Sequence, residues 1–306
     1  MTIQVFGHKS PDTDSTGSPI IWAWYLNEIR GQQAEPVLLG EPNTDAAFLL
    51  SRWDLPKPRI IEDVAENDPV VIVDTNNPAE LPASINSADI RAIIDHHKLV
   101  GGLETKGPID ITVRPLACTA TILMDLIGED VAKMPEAIKG AALTCILSDT
   151  LEFRSPTTTE HDRTVAQHLA SELGLDISAY AADMFAAKSD VSSFSDAELI
   201  RMDSKEYEVD GTKFRVSVLE TTAPGVVLDR KASLLTSMLE VAKEDGVDHV
   251  LLFVVDILNE EATLLVPNDA VKSVAENSFD VSVDGDVVVL PGIMSRKKQI
   301  IPNLKV

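Results

Sequence analysis

The sequence predicts an α/β protein: an N-terminal domain with a parallel sheet flanked by helices, hinged to a smaller C-terminal α/β domain. Three observations carry this. Short β-branched runs ending in polar residues alternate with segments whose apolar residues recur at helical spacing. From about Pro115 the pattern turns helical, and beyond a stretch of small polar residues at 189–196 a hairpin-like alternation begins. The boundaries are therefore residues 1–188, a hinge linker over 189–195, and residues 196–306. A chain of 306 residues suits two domains of roughly 100–200 residues each.

The elements follow in order. TIQVF is a short buried strand; a loop, GHKSPDTDS, follows it, and SPIIWAWYLNEIR has apolar residues at helical spacing. EPVLLG is a second strand and DAAFLLSRW a short helix. DPVVIVDT and DIRAIIDHH are continuous runs without alternation, as expected of strands buried on both faces of a parallel sheet. CTATILMDLIG, PEAIKGAALTCILSD, TTEHDRTVAQHLASELG and DISAYAADMFAAK are four helices. Thr157 and Glu160 have capping-box spacing at the start of the third, and Gly174 suits its end. KEYEV and KFRVSVLET flank Asp210-Gly211, a hairpin signal. RKASLLTSMLEVAKEDG is an amphipathic helix, DHVLLFVVDIL a buried strand and EATLLVP a strand paired nearby. The strand-like VVVL then leads through the turn PGIM to SRKKQ.

Composition narrows the function. The formal charge is −23, with acidic residues in excess in both domains, so a protein that coats nucleic acid is excluded. No run approaches 18 apolar residues, which argues against a membrane span. The first residues lack the basic region of a signal peptide. Cys118 and Cys145 lie in apolar helical segments and read as reduced, buried thiols of a cytoplasmic protein.

The chemistry gathers at the strand ends, where parallel α/β sheets bind ligands. His8, Asp12 and Asp14 follow the first strand, Asp74 follows PVVIV, and Asp95, His96 and His97 follow IRAII; the helix AALTCILSDT adds Asp149. One Asp after a strand is ordinarily a turn or cap residue, but here the same residue types end three strands. Imidazole nitrogen and carboxylate oxygen suit divalent transition metals, and so many carboxylates in one crevice would resist ionisation without cations. Two ions about 3.5–4 Å apart would bridge a hydroxide and clamp the oxygens of an in-line phosphoryl displacement. Asp74, between the two ligand sets, is the candidate bridging carboxylate. Near the C-terminus, Arg296, Lys297 and Lys298 form a local positive patch followed by apolar IIP, so they lie within the fold. Arg presents a planar fork to phosphate and Lys a point charge. An acidic metal domain and a basic anchor in a second domain describe a cleft for a small polyanion.

The motifs GHKSPDTDS, VDTN, DHH, SDT and SRKKQ, in this order and spacing, closely resemble the family II inorganic pyrophosphatases of the DHH phosphoesterase superfamily. The resemblance runs from residue 3 to about residue 302, and SRKKQ is its most discriminating piece. It implies hydrolysis of pyrophosphate to two orthophosphates by a metal-bridged hydroxide in a two-metal site between the domains. His8, Asp12 and Asp74 would hold one metal; Asp14, Asp74, His96 and Asp149 would hold the other. His97, Lys205, Arg296 and Lys297 would bind substrate and act in catalysis, with His97 able to donate a proton. Asp95 would stand behind the ligands and orient a histidine. It further implies two Mn²⁺ or Co²⁺ per subunit, additional Mg²⁺ or Mn²⁺ arriving with substrate, and a cytosolic homodimer formed through the N-terminal domain. Many members have His-Asn-Glu after the aspartate, where this chain has Thr75-Asn76-Asn77. Other DHH phosphoesterases, acting on short polyphosphates or nucleotides, are the alternative; aromatics of only 5% and an Arg-Lys-Lys anchor disfavour a nucleotide substrate. A metal-binding regulator without activity would bind Mn²⁺ but release no phosphate, and a plain scaffold would bind no metal. His161, His168 and His249 read as structural or surface residues.

Overall fold

A computed structural model describes residues 1–306, in two compact units, Met1–Ala187 and Lys188–Val306. The first begins β1 (Ile3–Phe6), α1 (Thr13–Glu28), β2 (Ala34–Leu38), α2 (Thr44–Arg52), β3 (Arg59–Ile60), β4 (Pro69–Val73), β5 (Asp89–Asp95) and β6 (Asp110–Val113). Helices α3 (Thr119–Ile127), α4 (Glu136–Asp149), α5 (Glu160–Leu173) and α6 (Ile177–Lys188) follow. The six strands are parallel, in the order β3-β2-β1-β4-β5-β6. From β1 the chain builds outward to β2 and β3, then returns to place β4 on the other side of β1. Between β1 and β4 the strand order therefore reverses, and there the loops leaving the carboxyl ends diverge and open a crevice.

Every residue of β4 is buried, which accounts for the unbroken run PVVIV. Phe6, Val37, Val70, Ile72, Ile90 and Ile93 share one core cluster on the sheet. Helix α1 packs closely on α4: a Cβ at Gly17 would stand 2.3 Å from Cys145 Sγ. Both cysteines are free and buried.

The second unit contains α7 (Asp196–Met202), β7 (Ser204–Val209), β8 (Thr212–Thr221), α8 (Pro224–Leu228), α9 (Lys231–Asp245), β9 (His249–Asp256), β10 (Glu261–Leu265), α10 (Asp269–Phe279) and β11 (Val287–Pro291). Its sheet runs β11-β10-β9-β8-β7, with β8 and β9 parallel and the other pairs antiparallel. Strand β9 sends Leu251, Phe253 and Val255 into one core and Val250, Leu252 and Val254 into another, so both faces of the strand are covered. The β7–β8 turn has Asp210 at φ 50 and Gly211 at φ 81, the left-handed pair that a tight hairpin requires. Ser189, at the start of the unit, is buried; its Oγ accepts from Thr221 Oγ1 at 2.7 Å and from the Thr222 amide at 3.2 Å.

Several local expectations are corrected. Helix α1 begins at Thr13, inside the segment read as loop, because Asp12 caps it by accepting the Ser15 amide. The capping box of α5 is Thr159 with Asp162, not Thr157 with Glu160, because the side chain of Asp162 accepts the Thr159 amide. The sequence pattern does not announce strands β3 and β6 or helices α7, α8 and α10.

Candidate metal centre

The crevice is built from three strand ends and two helix ends. Leaving β1, the chain must pass close to α1: a Cβ at Gly7 would lie 1.9 Å from Ser15 Oγ and 3.0 Å from its Cα. Only glycine permits this approach, and it lets the His8 amide donate to Ser15 Oγ at 2.7 Å. Asp12 is the N-cap of α1 and Asp14 lies in its first turn, where the positive end of the helix dipole favours carboxylates. Asp74 directly follows β4 at φ 58, in the left-handed region, with its amide bonded to Ile94 O at 2.9 Å. Asp149 is the last residue of α4, and the next three after Thr150, Leu151 to Phe153, also have positive φ.

His8 Nε2 lies 3.5 Å from Asp74 Oδ2 and 3.6 Å from Asp12 Oδ2. His96 Nε2 lies 3.3 Å from the other oxygen, Asp74 Oδ1. The two oxygens of Asp74 thus face different histidines. Three donor sets each gather within 4.8 Å: His8, Asp12 and Asp74; Asp14, His96 and Asp149; and Asp74, His96 and His97. His96 Nδ1 is 3.1 Å from Leu116 O, so that nitrogen is the donor to the carbonyl and Nε2 is the nitrogen turned toward Asp74. His97 points its Nδ1 at Asp95 Oδ1, 2.9 Å away, and its side chain is 52% exposed. Asp95 Oδ1 also accepts the amides of His96 and His97, at 2.8 and 3.1 Å. Asn76 donates to Asp95 Oδ2, and Thr75 donates to Glu80 at 2.7 Å.

Charge decides what the crevice can hold. Burial pushes the Asp74 carboxyl well above the carboxylate range, and the charges of Asp14, Asp12, Asp149 and Asp95 add to it. Burial likewise pushes Asp149 up, with Asp14 and Asp12 next. Burial opposes the protonated form of His8, but its hydrogen bond to Asp12 and the nearby negative charge outweigh this and raise it. The bond to Asp95 raises His97 against a smaller opposing effect of burial. Asp149 Oδ2 is buried without a hydrogen-bond partner. An orphaned oxygen, hard and borderline donors within one small volume, and buried carboxylates that disfavour one another's ionisation all fit bound divalent cations.

The phosphate-binding candidates lie in the second unit. Lys205 on β7, Arg296 and Lys297 line a groove of about 560 Å³ together with Asp203 and Tyr207. Arg296 opens a π-helical turn, Arg296–Ile300, capped by Ser295. Its guanidinium donates to Asp203 O and Asp203 Oδ1, both at 2.7 Å. Lys297 and Lys298 are exposed. His161 bonds Asp125 at 2.8 Å and His168 faces Glu172 at 3.5 Å, both away from the crevice.

Sequence reading missed the groups that hold these side chains: the Leu116 carbonyl, Ser18, the first amides of α3, and Asp203. Most are backbone atoms, which no residue letter announces. The small polar run CTAT before an apolar helix was the available signal for the α3 terminus.

Residues 2–149 match the DHH family N-terminal domain and residues 182–306 the DHHA2 domain. A Deinococcus radiodurans protein named as a manganese-dependent inorganic pyrophosphatase is 38% identical over 308 residues, covering 99% of this chain and 98% of its own. A Lactobacillus acidophilus protein of the same name is 35% identical over 302 residues, covering 98% and 96%. Among solved structures, a Methanococcus jannaschii protein described as a family II inorganic pyrophosphatase aligns with a TM-score of 0.61 at 32% identity, covering 99% of this chain and 98% of that one. An exopolyphosphatase-related protein from Bacteroides fragilis shares the fold, with a TM-score of 0.52 at 14% identity, covering 98% and 89%.

Proposed function

The chain belongs to the DHH–DHHA2 family of manganese-dependent inorganic pyrophosphatases, and on that premise we propose that it hydrolyses inorganic pyrophosphate to two orthophosphates with the residues described above. The observation that carries the reading is Asp74, whose two oxygens face His8 and His96 separately. His8, Asp12 and Asp74 would hold one cation; Asp14, Asp74, His96 and Asp149 would hold a second. When bound, the cations would bring the pKa of water from about 15.7 toward neutrality and offset charge on the phosphoryl oxygens.

The chain's own groups supply the remainder. Asp95 fixes the His97 ring through Nδ1, leaving Nε2 to meet substrate and pass a proton to the leaving oxygen. Arg296 and Lys297 bind phosphate oxygens, and Lys205 adds a third positive charge. Asp203 holds the Arg296 guanidinium in one orientation, which lowers the entropy lost on binding.

Two Mn²⁺ per subunit, replaceable by Co²⁺, with further Mg²⁺ or Mn²⁺ entering with substrate, complete the proposal. We further propose a division of labour: residues 1–188 as the catalytic metal-binding domain, 189–195 as a hinge and 196–306 as the substrate-binding domain. A homodimer through the N-terminal domain is supported by the apolar edge of β6, where Ile111 is 57% exposed. A cytoplasmic location is supported by the two unpaired cysteines. Phosphate release from pyrophosphate, tripolyphosphate and a cyclic dinucleotide, each with Mn²⁺, Co²⁺ or Mg²⁺, tests the substrate. Pyrophosphate should be the fastest by a wide margin; faster release from tripolyphosphate, or turnover of the dinucleotide, would overturn the assignment.

A further inference from the structure

The opening turn of α3 supplies no metal ligand, yet it grips two of them. Asp14 Oδ2 accepts the Thr119 amide at 2.6 Å, and Oδ1 accepts the Ala120 amide at 3.2 Å and Ser18 Oγ at 2.6 Å. Thr119 Oγ1 donates to Asp74 Oδ1 at 3.3 Å. Thr119 therefore joins a carboxylate of α1 to the carboxylate that follows β4. Thr119 and Ala120 are wholly buried, and Asp14 and Asp74 are each 1% exposed, so water does not compete for these bonds. Thr119 is itself held from outside. Asp162 of α5, also fully buried, accepts the Ala117 amide at 3.1 Å and Thr121 Oγ1 at 2.7 Å, fixing the residues on both sides.

We propose that Thr119 is a positioning residue of the metal centre: its amide sets Asp14 and its hydroxyl sets Asp74, so both carboxylates are aimed before a cation arrives. This rests on the metal reading above. Asp74 Oδ1 is the oxygen that faces His96. Rotating that carboxylate would turn one oxygen away from its histidine, and the Thr119 hydroxyl opposes the rotation. The α3 terminus also brings partial positive charge to Asp14, which offsets the repulsion between buried carboxylates while the site is empty. Groups standing behind metal ligands in this way commonly contribute 10–100-fold to metal affinity.

The test compares Thr119→Val, Thr119→Ala and Thr119→Ser with the parent, all stripped with EDTA, using Mn²⁺ titration calorimetry and metal-free melting curves. Val keeps the shape without the hydroxyl; Ser keeps the hydroxyl without the methyl. The expected result is Mn²⁺ binding about 10–100-fold weaker in the Val and Ala variants, restored to within about threefold by Ser, with the metal-free fold retained in at least one hydroxyl-free variant. Parent-like affinity in Val or Ala would overturn the inference, as would Ser binding as weakly as Ala, which would assign the effect to packing. A parent that binds no Mn²⁺ would overturn the metal reading itself.

Discussion

Asp74 combines two features that each destabilise the empty protein. Its φ of 58 lies in the left-handed region, costing on the order of 1 kcal/mol or more, and its carboxylate is buried among four others. Both become useful if the residue bridges two cations. Asp74→Asn should therefore raise the melting temperature of the EDTA-stripped protein, by about 2–4 °C for each kcal/mol relieved, while removing most of the rise that Mn²⁺ gives the parent. Differential scanning calorimetry with and without Mn²⁺ checks both halves. His97 stands at the other extreme, its side chain 52% exposed, whereas Arg296 is more covered and is held by Asp203. His97→Gln should lower kcat by about 10²–10⁴-fold, and Arg296→Ala should lower kcat/KM by about 10²-fold or more. Unchanged circular dichroism and steady-state phosphate release would check these, and near-normal turnover in either variant would remove that residue from its role.

The elements that carry the crevice were legible because their physics is local and repetitive. Strand β4 is an unbroken apolar run, and β1 and β5 are interrupted inside only by Gln4 and Arg91; such runs announce both a parallel strand and the loop that must follow it. Strands β3 and β6 were not legible, since both are short, lie at the edges of the sheet and are largely exposed, leaving little burial pattern to read. Helix α10 lacked a long run, although Asn268 caps it by accepting the Val271 amide. Every ligand candidate except Asp149, which ends α4, could be named from its place after a strand. What could not be read was orientation: the left-handed turn at Asp74, the Leu116 carbonyl behind His96 and the α3 amides behind Asp14 are backbone events.

A second element carries a charge arrangement of its own. Asp245, the last residue of α9, bonds Arg201 of α7 at 2.8 Å and lies 2.6 Å from Arg215 of β8. The Arg201 hydrogen bond holds its carboxyl below the usual range against the opposing effect of burial, with Arg215 adding to the lowering. Because the folded pKa is depressed, this stabilisation is present above the unfolded value near 3.9 and is lost as pH falls through the folded one. Asp245→Asn should cost about 1–3 kcal/mol at pH 7, and the difference from the parent should shrink as pH falls below about 4. Urea unfolding of the metal-free proteins at pH 7 and pH 3 measures it; a pH-independent difference would show that the charge is not what matters.

For the whole molecule, the charge of −23 no longer describes the surface that meets substrate. Asp12, Asp14, Asp74 and Asp149 would be neutralised by cations, while Lys205, Arg296 and Lys297 concentrate positive charge in one groove of the second unit. With cations bound, an acidic protein could repel long polyanions and still take a small one, since a local field can oppose the global one. The proposed activity therefore depends on metal in a way that a single titration exposes. The EDTA-stripped protein, given pyrophosphate and fixed Mg²⁺, should release phosphate slowly. Added Mn²⁺ should raise the rate in step with bound metal up to two ions per chain, with Asp74→Asn flat throughout. Full activity without Mn²⁺ or Co²⁺, or saturation by Mn²⁺ with no phosphate released, would contradict it.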